Sequence, residues 1–306
     1  MSDIVVLGIF NADTAYHADR MPRLGETVLG SGFVLGPGGK GSNQAVAAAK
    51  AGGDVTIVTR LGADAFADLG RATWAEAGVK SAVTVDAESH TGAAFIFLQN
   101  GTGENAIIVS PGAAGRIDVA EIDSRAALIG GAKVFITQLE QPIPAAHRAL
   151  QIARAGGART ILNPAPAAAL DDAMLALCDY ITPNESEAEG LTGLPVTTLA
   201  EAEAAADALM ARGVGAVVMT LGAKGALYRD RTRSVHVPAV TAGPVVDTTG
   251  AGDAFNGGFA VALTEGRDVV EAVRFGCATA GISVTRPGAA TASPRRAEIE
   301  ALLARG

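Results

Sequence analysis

The sequence contains few cysteines, few aromatic residues and no long apolar run. Only two cysteines, Cys178 and Cys277, occur in 306 residues, which is too few for a disulfide framework and favours a reducing, cytoplasmic location. No apolar run approaches the roughly 18–20 residues that cross a bilayer. Residues 1–10 lack the basic start and the cleavage site of a signal peptide. We therefore expect a soluble protein without a membrane anchor.

Basic residues are also in the minority. Lys and Arg number 24 against 32 Asp and Glu, which gives a net charge of -8. Nucleic acid is not expected as a partner, because neutralising its phosphates requires clustered Lys and Arg. Aromatic residues make up 4% of the chain and hydrophobic residues 49%. The core must therefore consist of Ala, Val, Leu and Ile, which suits helices packed on a parallel sheet.

Short apolar runs alternate with amphipathic stretches along the chain. The runs predict strands at residues 4–10, 55–61, 133–139, 159–163, 179–183 and 216–222. The stretches predict helices at residues 42–52, 64–78, 118–129, 144–155, 199–212, 253–265, 268–284 and 295–304. Ser42 is a candidate N-cap of the first helix. This alternation predicts an α/β fold with a mostly parallel central sheet and helices on both faces.

Two segments, residues 12–37 and 92–110, interrupt the alternation with strands and turns. The second has a glycine-rich turn between two β-rich runs, which indicates a hairpin. We expect the two segments to pair into a small sheet, either an edge extension or a lid over a site. The α/β domain would then comprise residues 1–11, 38–91 and 111–306.

The segment VDTTGAGDAFNGGF (246–259) places a glycine turn and a carboxylate directly before an apolar helix. The N-terminus of such a helix attracts anions, and Gly250, Ala251 and Gly252 would allow close approach of one. Asp253, near the start of the helix, is either a general base for phosphoryl transfer or only an N-cap. The motif is not a Rossmann fingerprint, because that pattern requires glycine where Phe255 stands. Neither is the earlier Gly-Lys pair a Walker A loop, because Gly41 follows it.

A second glycine cluster, GPGGKGSNQ (36–44), lies between the first β segment and a helix. Lys40 and Asn43 combine donors with an acceptor, which is the mixture that a polyol requires, although a solvated connector is the simpler alternative. The first strand would end beside Asn11 and Asp13. Asp13 could bind two vicinal hydroxyls or form an Asx turn.

The two glycine motifs occur together with other short motifs along the whole chain. These are NAD (11–13), LGETV (24–28), QLE (138–140), NPAP (163–166), ITPNESEAE (181–189), TLGAKGA (220–226) and VTRPGA (284–289). In this order they resemble the ribokinase-like (PfkB) carbohydrate kinases. The resemblance implies transfer of the γ-phosphoryl group of ATP to the 5-hydroxyl of D-ribose. It also implies that Mg²⁺ and an activating monovalent cation, usually K⁺, take part.

The resemblance also implies roles for individual residues. Asp253 would be the catalytic base, and the turn Gly250, Ala251 and Gly252 the anion hole. The sugar site would be lined by Asn11, Asp13, Gly39, Lys40, Gly41, Asn43 and Glu140. The nucleotide and its magnesium water shell would lie near Asn184, Glu187, Thr220, Gly222, Gly225, Gly252 and Cys277. The monovalent cation would be bound by Asp247 and Thr249, with backbone carbonyls near Ser283, Arg286 and Gly288.

Two positions depart from the pattern of the family. Cys277 stands where related kinases often have Asn or His near the adenine, so it is alternatively a small core residue. Ala292 stands where a Ser can contribute to the cation shell, which leaves the detailed coordination open. By the same resemblance, the β segments would form a lid that also serves as a homodimer surface.

Rival substrates are 2-deoxyribose, fructose and a nucleoside. The run Asn11-Ala12-Asp13 favours ribose, because a small Ala12 leaves room and a carboxylate suits a vicinal diol. A nucleoside would require an aromatic platform, for which Phe10, Phe33 and Phe97 are candidates. A non-catalytic sugar or nucleotide sensor is a remote alternative, because a binding protein has no use for the base.

Overall fold

The computed structural model describes residues 2–102 and 104–305. The strands are β1 (Ile4–Leu7), β2 (Asn11–Ala18), β3 (Gly32–Gly38), β4 (Val55–Leu61), β5 (Lys80–Val85), β6 (Ala93–Gln99), β7 (Asn105–Ser110), β8 (Val134–Thr137), β9 (Arg159–Leu162), β10 (Tyr180–Ile181), β11 (Ala216–Thr220), β12 (Ala226–Arg229) and β13 (Ser234–Val237). The α-helices are α1 (Lys40–Lys50), α2 (Ala65–Ala77), α3 (Val119–Ser124), α4 (Ala126–Gly130), α5 (Ile143–Ala155), α6 (Asp172–Leu175), α7 (Glu185–Thr192), α8 (Leu199–Ala211), α9 (Ala251–Thr264), α10 (Val269–Ser283) and α11 (Arg296–Leu303). Two 3₁₀ turns lie at Gly112–Arg116 and Gly222–Lys224.

The main sheet is nine-stranded, in the order β13-β12-β11-β10-β9-β8-β1-β4-β5. Pairing is parallel from β11 to β5 and antiparallel at β12 and β13. Ile4 and Val6 of β1 belong to one buried cluster, with residues of α1, α2, α9, α10 and α11. Val5 and Leu7 belong to a second cluster, with α3, α4, α5 and α8. Because successive strand residues point to opposite faces, these clusters lie on the two sides of the sheet, which confirms the predicted fold class.

The small sheet has the order β3-β2-β6-β7. Strand β2 pairs antiparallel with β3 and parallel with β6, and β6 and β7 form an antiparallel hairpin. The pairing of the two β segments with each other and the hairpin are therefore confirmed. The division of the chain into an α/β domain and a lid stays a prediction.

Some sequence-based boundaries were wrong. Helix α1 begins at Lys40 rather than Ser42, and its N-cap is Gly39. Ser42 is instead buried inside the helix, where its Oγ accepts a hydrogen bond from Trp74 Nε1 at 2.9 Å. The predicted helix at 118–129 is two short helices, α3 and α4, because Arg125 has a non-helical backbone between them.

The start of the small sheet also differs from the prediction. Strand β1 ends at Leu7, and Asn11 opens β2 instead of closing the first strand. Asp13 therefore lies on a strand of the small sheet and does not form an Asx turn. Over the residues described, no helix combines the length and the apolarity needed to cross a membrane.

Candidate functional site

The glycine turn before α9 begins with a residue in the left-handed conformation. Gly250 is the N-cap, with φ of 72°, and α9 begins at Ala251. Asp253 therefore lies within the first turn of the helix, which begins two residues before the predicted start, and the N-cap alternative was wrong. A Cβ on Gly250 would lie 2.6 Å from the Cβ of Ala289, whereas a Cβ on Gly252 would meet no described atom within 4 Å. The turn thus requires glycine at its first position and is open to a ligand at its third.

Asp253 is buried, with 7% of its surface exposed, and it contacts α1. Its Oδ2 accepts a hydrogen bond from Asn43 Nδ2, and its Oδ1 accepts one from Gln44 Nε2, both at 3.0 Å. The two helices approach closely at Gly257, where a Cβ would lie 2.6 Å from an alanine side chain of α1. Burial raises the pKa of Asp253 above its ordinary value, and the charge of Lys40 and the two amide donors offset only part of this rise. These donors stabilise a carboxylate in a place where desolvation opposes one.

Two further carboxyl groups lie near the start of α1. The backbone N–H of Lys40 donates to Glu140 Oε2 at 2.7 Å. Burial raises the pKa of Glu140 to about 7 and that of Asp13 to about 6. The Asp13 carboxylate lies directly over Gly38, where any side chain would overlap it. The site therefore combines one ammonium group with carboxyl groups whose pKa values lie near neutrality.

Two amide oxygens at this site have no partner within residues 2–102 and 104–305. Asn11 Oδ1 and Asn43 Oδ1 are both buried without a hydrogen bond, although such acceptors normally have one. Gly39 has φ of 88°, and Gly41 packs against Gly8, so the backbone of this loop tolerates no side chain there. Free acceptors beside carboxyl groups and a lysine are suited to a ligand with several hydroxyls.

A cavity of about 420 Å³ opens beside Gly252. Of the predicted nucleotide residues, those that line it are Asn184, Thr220, Gly222, Gly225, Gly252 and Cys277. The rest of its wall consists largely of small side chains, among them Ala223, Ala239, Ala242, Gly243, Ala280 and Gly281. Burial raises the pKa of the Cys277 thiol to about 12, so it contributes a neutral apolar surface.

Glu187, also predicted near the nucleotide, does not line this cavity. It forms a capping box with Asn184 at the start of α7: Glu187 N donates to Asn184 Oδ1 at 2.8 Å, and Asn184 N donates to Glu187 Oε2 at 2.9 Å. Burial raises the pKa of Glu187, and the charge of Lys40 lowers it. Glu187 therefore lies within electrostatic range of the polar site.

Of the residues predicted to bind a monovalent cation, Thr249 and Gly288 contact Asp247. Its Oδ1 accepts from the N–H of Thr249, and its Oδ2 accepts from the N–H of Gly288, both at 2.8 Å. Burial raises its pKa, but these hydrogen bonds outweigh burial, so the pKa is lowered and the group is a carboxylate. The hydroxyl of Ser283 donates to the Ala280 carbonyl of its own helix. The Arg286 side chain pairs with Glu298.

The structure also shows residues that sequence reasoning missed. Gln44, Gln138, Asn163, Thr182 and Asn256 form buried hydrogen bonds that reach Asp253. All five lie inside motifs quoted in the sequence analysis, so their position in those motifs was the available signal. The cavity wall formed by residues 239–243 carried no such signal, because Ala, Val, Thr and Gly are unremarkable in a loop.

The aromatic residues considered as a nucleoside platform lie elsewhere. Phe10 is buried against Trp74, with ring centroids 5.8 Å apart. The strand register places Phe33 and Phe97 on the face of the small sheet opposite to Asp13. None of the three is placed to stack on a base at the polar site.

The sequence matches the model of the pfkB family carbohydrate kinases over residues 1–296. Because this match covers nearly the whole chain, the protein belongs to the pfkB family of carbohydrate kinases. It is 38% identical to the ribokinase of Haemophilus influenzae, over 96% of both chains. It is 37% identical to the deoxyribokinase of Salmonella typhi, over 95% of both chains.

The fold is similar to that of a solved member of the group. The structure of Arabidopsis thaliana ribokinase, complexed with ribose and ATP, superposes with a TM-score of 0.91. The two sequences are 31% identical, and the match covers 99% of this chain and 98% of the other. The similarity therefore includes both the main sheet and the small sheet.

Proposed function

We propose that this protein is an ATP-dependent sugar kinase that phosphorylates the 5-hydroxyl of D-ribose to give D-ribose 5-phosphate and ADP. The observation that carries the proposal is the position of Asp253. This buried carboxylate lies in the first turn of α9, between a site with the donors and acceptors for a polyol and a cavity beside Gly252. The ribokinases among its relatives support the same activity.

In the proposed reaction, Asp253 accepts the proton of the sugar hydroxyl. The hydroxyl oxygen forms a bond to the γ-phosphorus as the bond to the bridging oxygen breaks and ADP leaves. The turn Gly250–Gly252 would stabilise the charge on the transferred group through its N–H groups and the positive end of α9. The N–H of Ala251 also donates to the Thr248 carbonyl at 3.2 Å, so the phosphoryl group would share this donor.

The sugar would occupy the polar site at the start of α1. We infer that Asn11, Asp13, Lys40, Asn43 and Glu140 bind its hydroxyls, with Gly39 and Gly41 allowing close backbone approach. Two observations support this assignment: the unpartnered amide oxygens noted above, and the Glu140 carboxylate, which is aligned by the Lys40 N–H. Each hydroxyl can both donate and accept, so it satisfies both kinds of group at once.

ATP would occupy the cavity of about 420 Å³, a volume in the ordinary range of small-molecule pockets. Thr220, Gly222 and Gly225 would lie along the nucleotide, and Cys277 would contact the base. The apolar wall suits a purine ring, and the open end at Gly252 faces the N-terminus of α9, where phosphates are favoured.

The two metal ions of the family stay predictions for this chain. Mg²⁺ neutralises charge on the phosphates when it is bound, and we infer that Asn184 and Glu187 would hold its water shell. The described residues contain no group of three or more His, Cys, Asp and Glu side chains fit for a metal. This fits an ion bound mainly through substrate phosphates and water, as is usual for Mg²⁺.

The monovalent cation would lie at the loop around Asp247. We infer that Asp247, Thr249, Ser283, Arg286 and Gly288 would hold K⁺, the last three through backbone carbonyls. The site fits such an ion because the Asp247 carboxylate ties the start of the anion turn to residue 288. An ion there would stiffen the turn and raise the positive potential near the phosphoryl group.

A kinase of 2-deoxyribose is the second candidate. The identity of the chain to a deoxyribokinase, 37%, is almost the same as its identity to a ribokinase, 38%. The two sugars differ only in the 2-hydroxyl, so the polar site at the start of α1 has the size and the polar groups for either sugar. The positions of Phe10, Phe33 and Phe97 weigh against a nucleoside.

The deciding experiment measures ADP release with ATP and Mg²⁺ in the presence of ribose, 2-deoxyribose, fructose, adenosine or no sugar. Each reaction is run with K⁺ and then with Na⁺. Turnover that requires ribose and rises with K⁺ supports the proposal. Turnover only with 2-deoxyribose would replace the substrate and keep the mechanism. Binding of ATP or sugar without any turnover would contradict the kinase assignment.

We also propose that the protein forms a homodimer through the small sheet. By strand register, Tyr16, Phe33, Leu35, Phe95 and Ile108 share the face turned away from Asp13. Four of them are exposed, Ile108 to 65%, and the rings of Tyr16 and Phe33 lie 5.0 Å apart. An apolar face of this kind is typical of a protein interface.

The dimer is tested by Ile108→Asp, which would place a charge in the proposed interface. Val109→Asp is the matched control, because Val109 is 51% exposed on the opposite face of the same strand. Sedimentation velocity should show a monomer for the first variant and a dimer for the second. A monomeric parent protein would contradict the proposal.

We propose a cytoplasmic location as well. Both cysteines, Cys178 and Cys277, are buried free thiols, as expected in a reducing compartment. Fractionation of cells that express the protein would test this.

A further inference from the structure

Asp253 is connected through its partner Gln44 to the end of a neighbouring strand. Gln44 Nε2 lies 3.0 Å from Asp253 Oδ1 and 3.1 Å from Asn163 Oδ1. Its Oε1 accepts from Gln138 Nε2 at 2.6 Å. Gln44 is fully buried, and both ends of its amide are engaged. The amide is therefore fixed in the orientation that presents a donor to the carboxylate.

The hydrogen bonds continue from Asn163 back to the glycine turn. Asn163 Nδ2 donates to the Thr182 carbonyl at 3.0 Å, and the Thr182 hydroxyl donates to Asn256 Oδ1 at 2.7 Å. Asn256 Nδ2 donates to the Gly252 carbonyl at 2.8 Å. Because Gly252 precedes Asp253 in the chain, the hydrogen bonds close into a ring. The ring joins the carboxylate to the backbone of the turn.

The four amide and hydroxyl side chains of this ring, those of Gln44, Asn163, Thr182 and Asn256, are buried, and none of them lines the cavity. Thr182 and Asn256 are each 1% exposed, and neither lines the cavity beside Gly252. A buried polar network in which every donor faces an acceptor has a single low-energy arrangement. Such a network can fix the positions of the groups to which its ends are hydrogen-bonded, here the Asp253 carboxylate and the Gly252 carbonyl.

We propose that Gln44, Asn163, Thr182 and Asn256 are positioning residues that hold the Asp253 carboxylate and the Gly252 backbone in one fixed relative geometry. This inference rests on the proposed kinase function. Phosphoryl transfer depends mainly on alignment, and a displacement of about 1 Å can cost roughly a hundredfold in rate. The ring would act on the catalytic step, while ATP and sugar binding would depend on other residues.

Thr182→Val is the first test, because it removes the hydroxyl donor to Asn256 and preserves the shape of the side chain. We expect kcat to fall about tenfold, with the KM values for ATP and ribose within about twofold of the parent. Thr182→Ser restores the hydroxyl and should recover most of the rate. Thr59→Val is the matched control: Thr59 is a buried strand residue whose hydroxyl has no partner in the described chain. That variant should keep the parent rate.

Gln44→Met is the second test, and it acts on the carboxylate directly. Losing the Gln44 donor raises the pKa of Asp253, so the acid limb of the kcat profile should move to higher pH. Lys40, Glu140 and Glu187 also act electrostatically at this site. Their contributions are common to parent and variant, so the difference between the two profiles isolates Gln44.

The outcomes separate the two hypotheses. If the parent protein turns over no sugar, the proposed function fails and the ring loses its role. If the parent is active but Thr182→Val keeps its kcat, the ring has no positioning role. Should Thr182→Val fail to fold, the Gln44→Met profile decides, and an unshifted acid limb would overturn the proposal. Loss of rate in Thr182→Val without recovery in Thr182→Ser would also overturn it.

Discussion

The two halves of the candidate site are built in different ways. The polar half at α1 and α9 consists of charged and amide side chains whose atoms form specific hydrogen bonds, such as Asn43 to Asp253. The cavity half is lined mainly by small residues, for example Ala223, Ala280 and Gly281. In the first half the chemistry lies in the side chains. In the second, small side chains leave an open volume, and polar residues such as Asn184, Thr220 and Thr248 also line it.

This difference determines how each half responds to mutation. Removing a functional group from the polar half should affect catalysis or ionisation, because several of these groups are hydrogen-bonded directly to one another. Adding atoms to the cavity half should weaken nucleotide binding, because a larger side chain would fill part of the volume proposed for the nucleotide. The following predictions test this contrast, in order of decreasing expected effect.

Asp253→Asn should reduce kcat by about a thousandfold, the usual scale for a general base. The amide cannot accept the proton, and it would turn an N–H toward one of the donors Asn43 and Gln44. ADP release measures the rate, and nucleotide titration should show unchanged ATP binding. Asp268→Asn is the control, because Asp268 caps α10 at the surface; it should keep the parent rate. A comparable loss in that variant would show that the effect is not specific.

Gly250→Ala should lower kcat about a hundredfold, because the turn must shift to relieve a clash. The new Cβ would lie 2.6 Å from the Cβ of Ala289. The alanine would also have to keep the φ of 72° that Gly250 has, which is strained for any residue with a side chain. The shift would displace the proposed anion hole by a fraction of an ångström to an ångström. Rate and thermal stability should both fall.

Gly252→Ala sharpens this experiment. Its Cβ meets no atom within 4 Å in the described chain, and alanine favours a helix. Stability should therefore be kept, while ATP turnover falls because the methyl group enters the space proposed for phosphate. Unchanged turnover in Gly252→Ala would place the phosphate elsewhere.

Glu140→Gln should stabilise the ligand-free protein at pH 8 by about 3 kcal/mol. Burial raises the folded pKa of Glu140 from 4.5 to about 7. The folded state therefore holds a proton that the unfolded state releases, and this contribution to stability is lost as pH rises from about 4.5 through about 7. Glutamine has no charge to bury, so its advantage should appear at pH 8 and be small at pH 5.

Urea unfolding at the two pH values measures this effect. Glu88→Gln is the control, because the Glu88 side chain is 86% exposed; it should show no such pH dependence. An equal gain for Glu140→Gln at both pH values would mean that ionisation is not the cause.

Ala280→Leu should raise the KM for ATP about tenfold and leave the KM for ribose unchanged. Ala280 lines the cavity, and the larger side chain would occupy part of its volume. Steady-state kinetics with each substrate varied in turn will separate the two constants. An equal rise in both constants would show that the halves are not independent.

Local patterns predicted much of the fold correctly. Helices α9, α10 and α11 begin and end within two residues of the prediction, because apolar periodicity is strong there. The antiparallel pair β12 and β13 was missed, because its short strands carry little periodic signal. Ser42 was wrongly taken as a cap, because α1 begins two residues earlier, directly after its N-cap Gly39.

The sequence by itself determined the α/β class and the family, because these follow from local periodicity and from ordered motifs. Only the tertiary structure decided which side chains meet. Asn43 and Asp253 are 210 positions apart and form a hydrogen bond at 3.0 Å, because α1 and α9 pack closely at Gly257. The closed ring through Thr182 and Asn256 likewise depends on the juxtaposition of a strand end and a helix. Such contacts result from packing over long chain separations, which a local pattern does not specify.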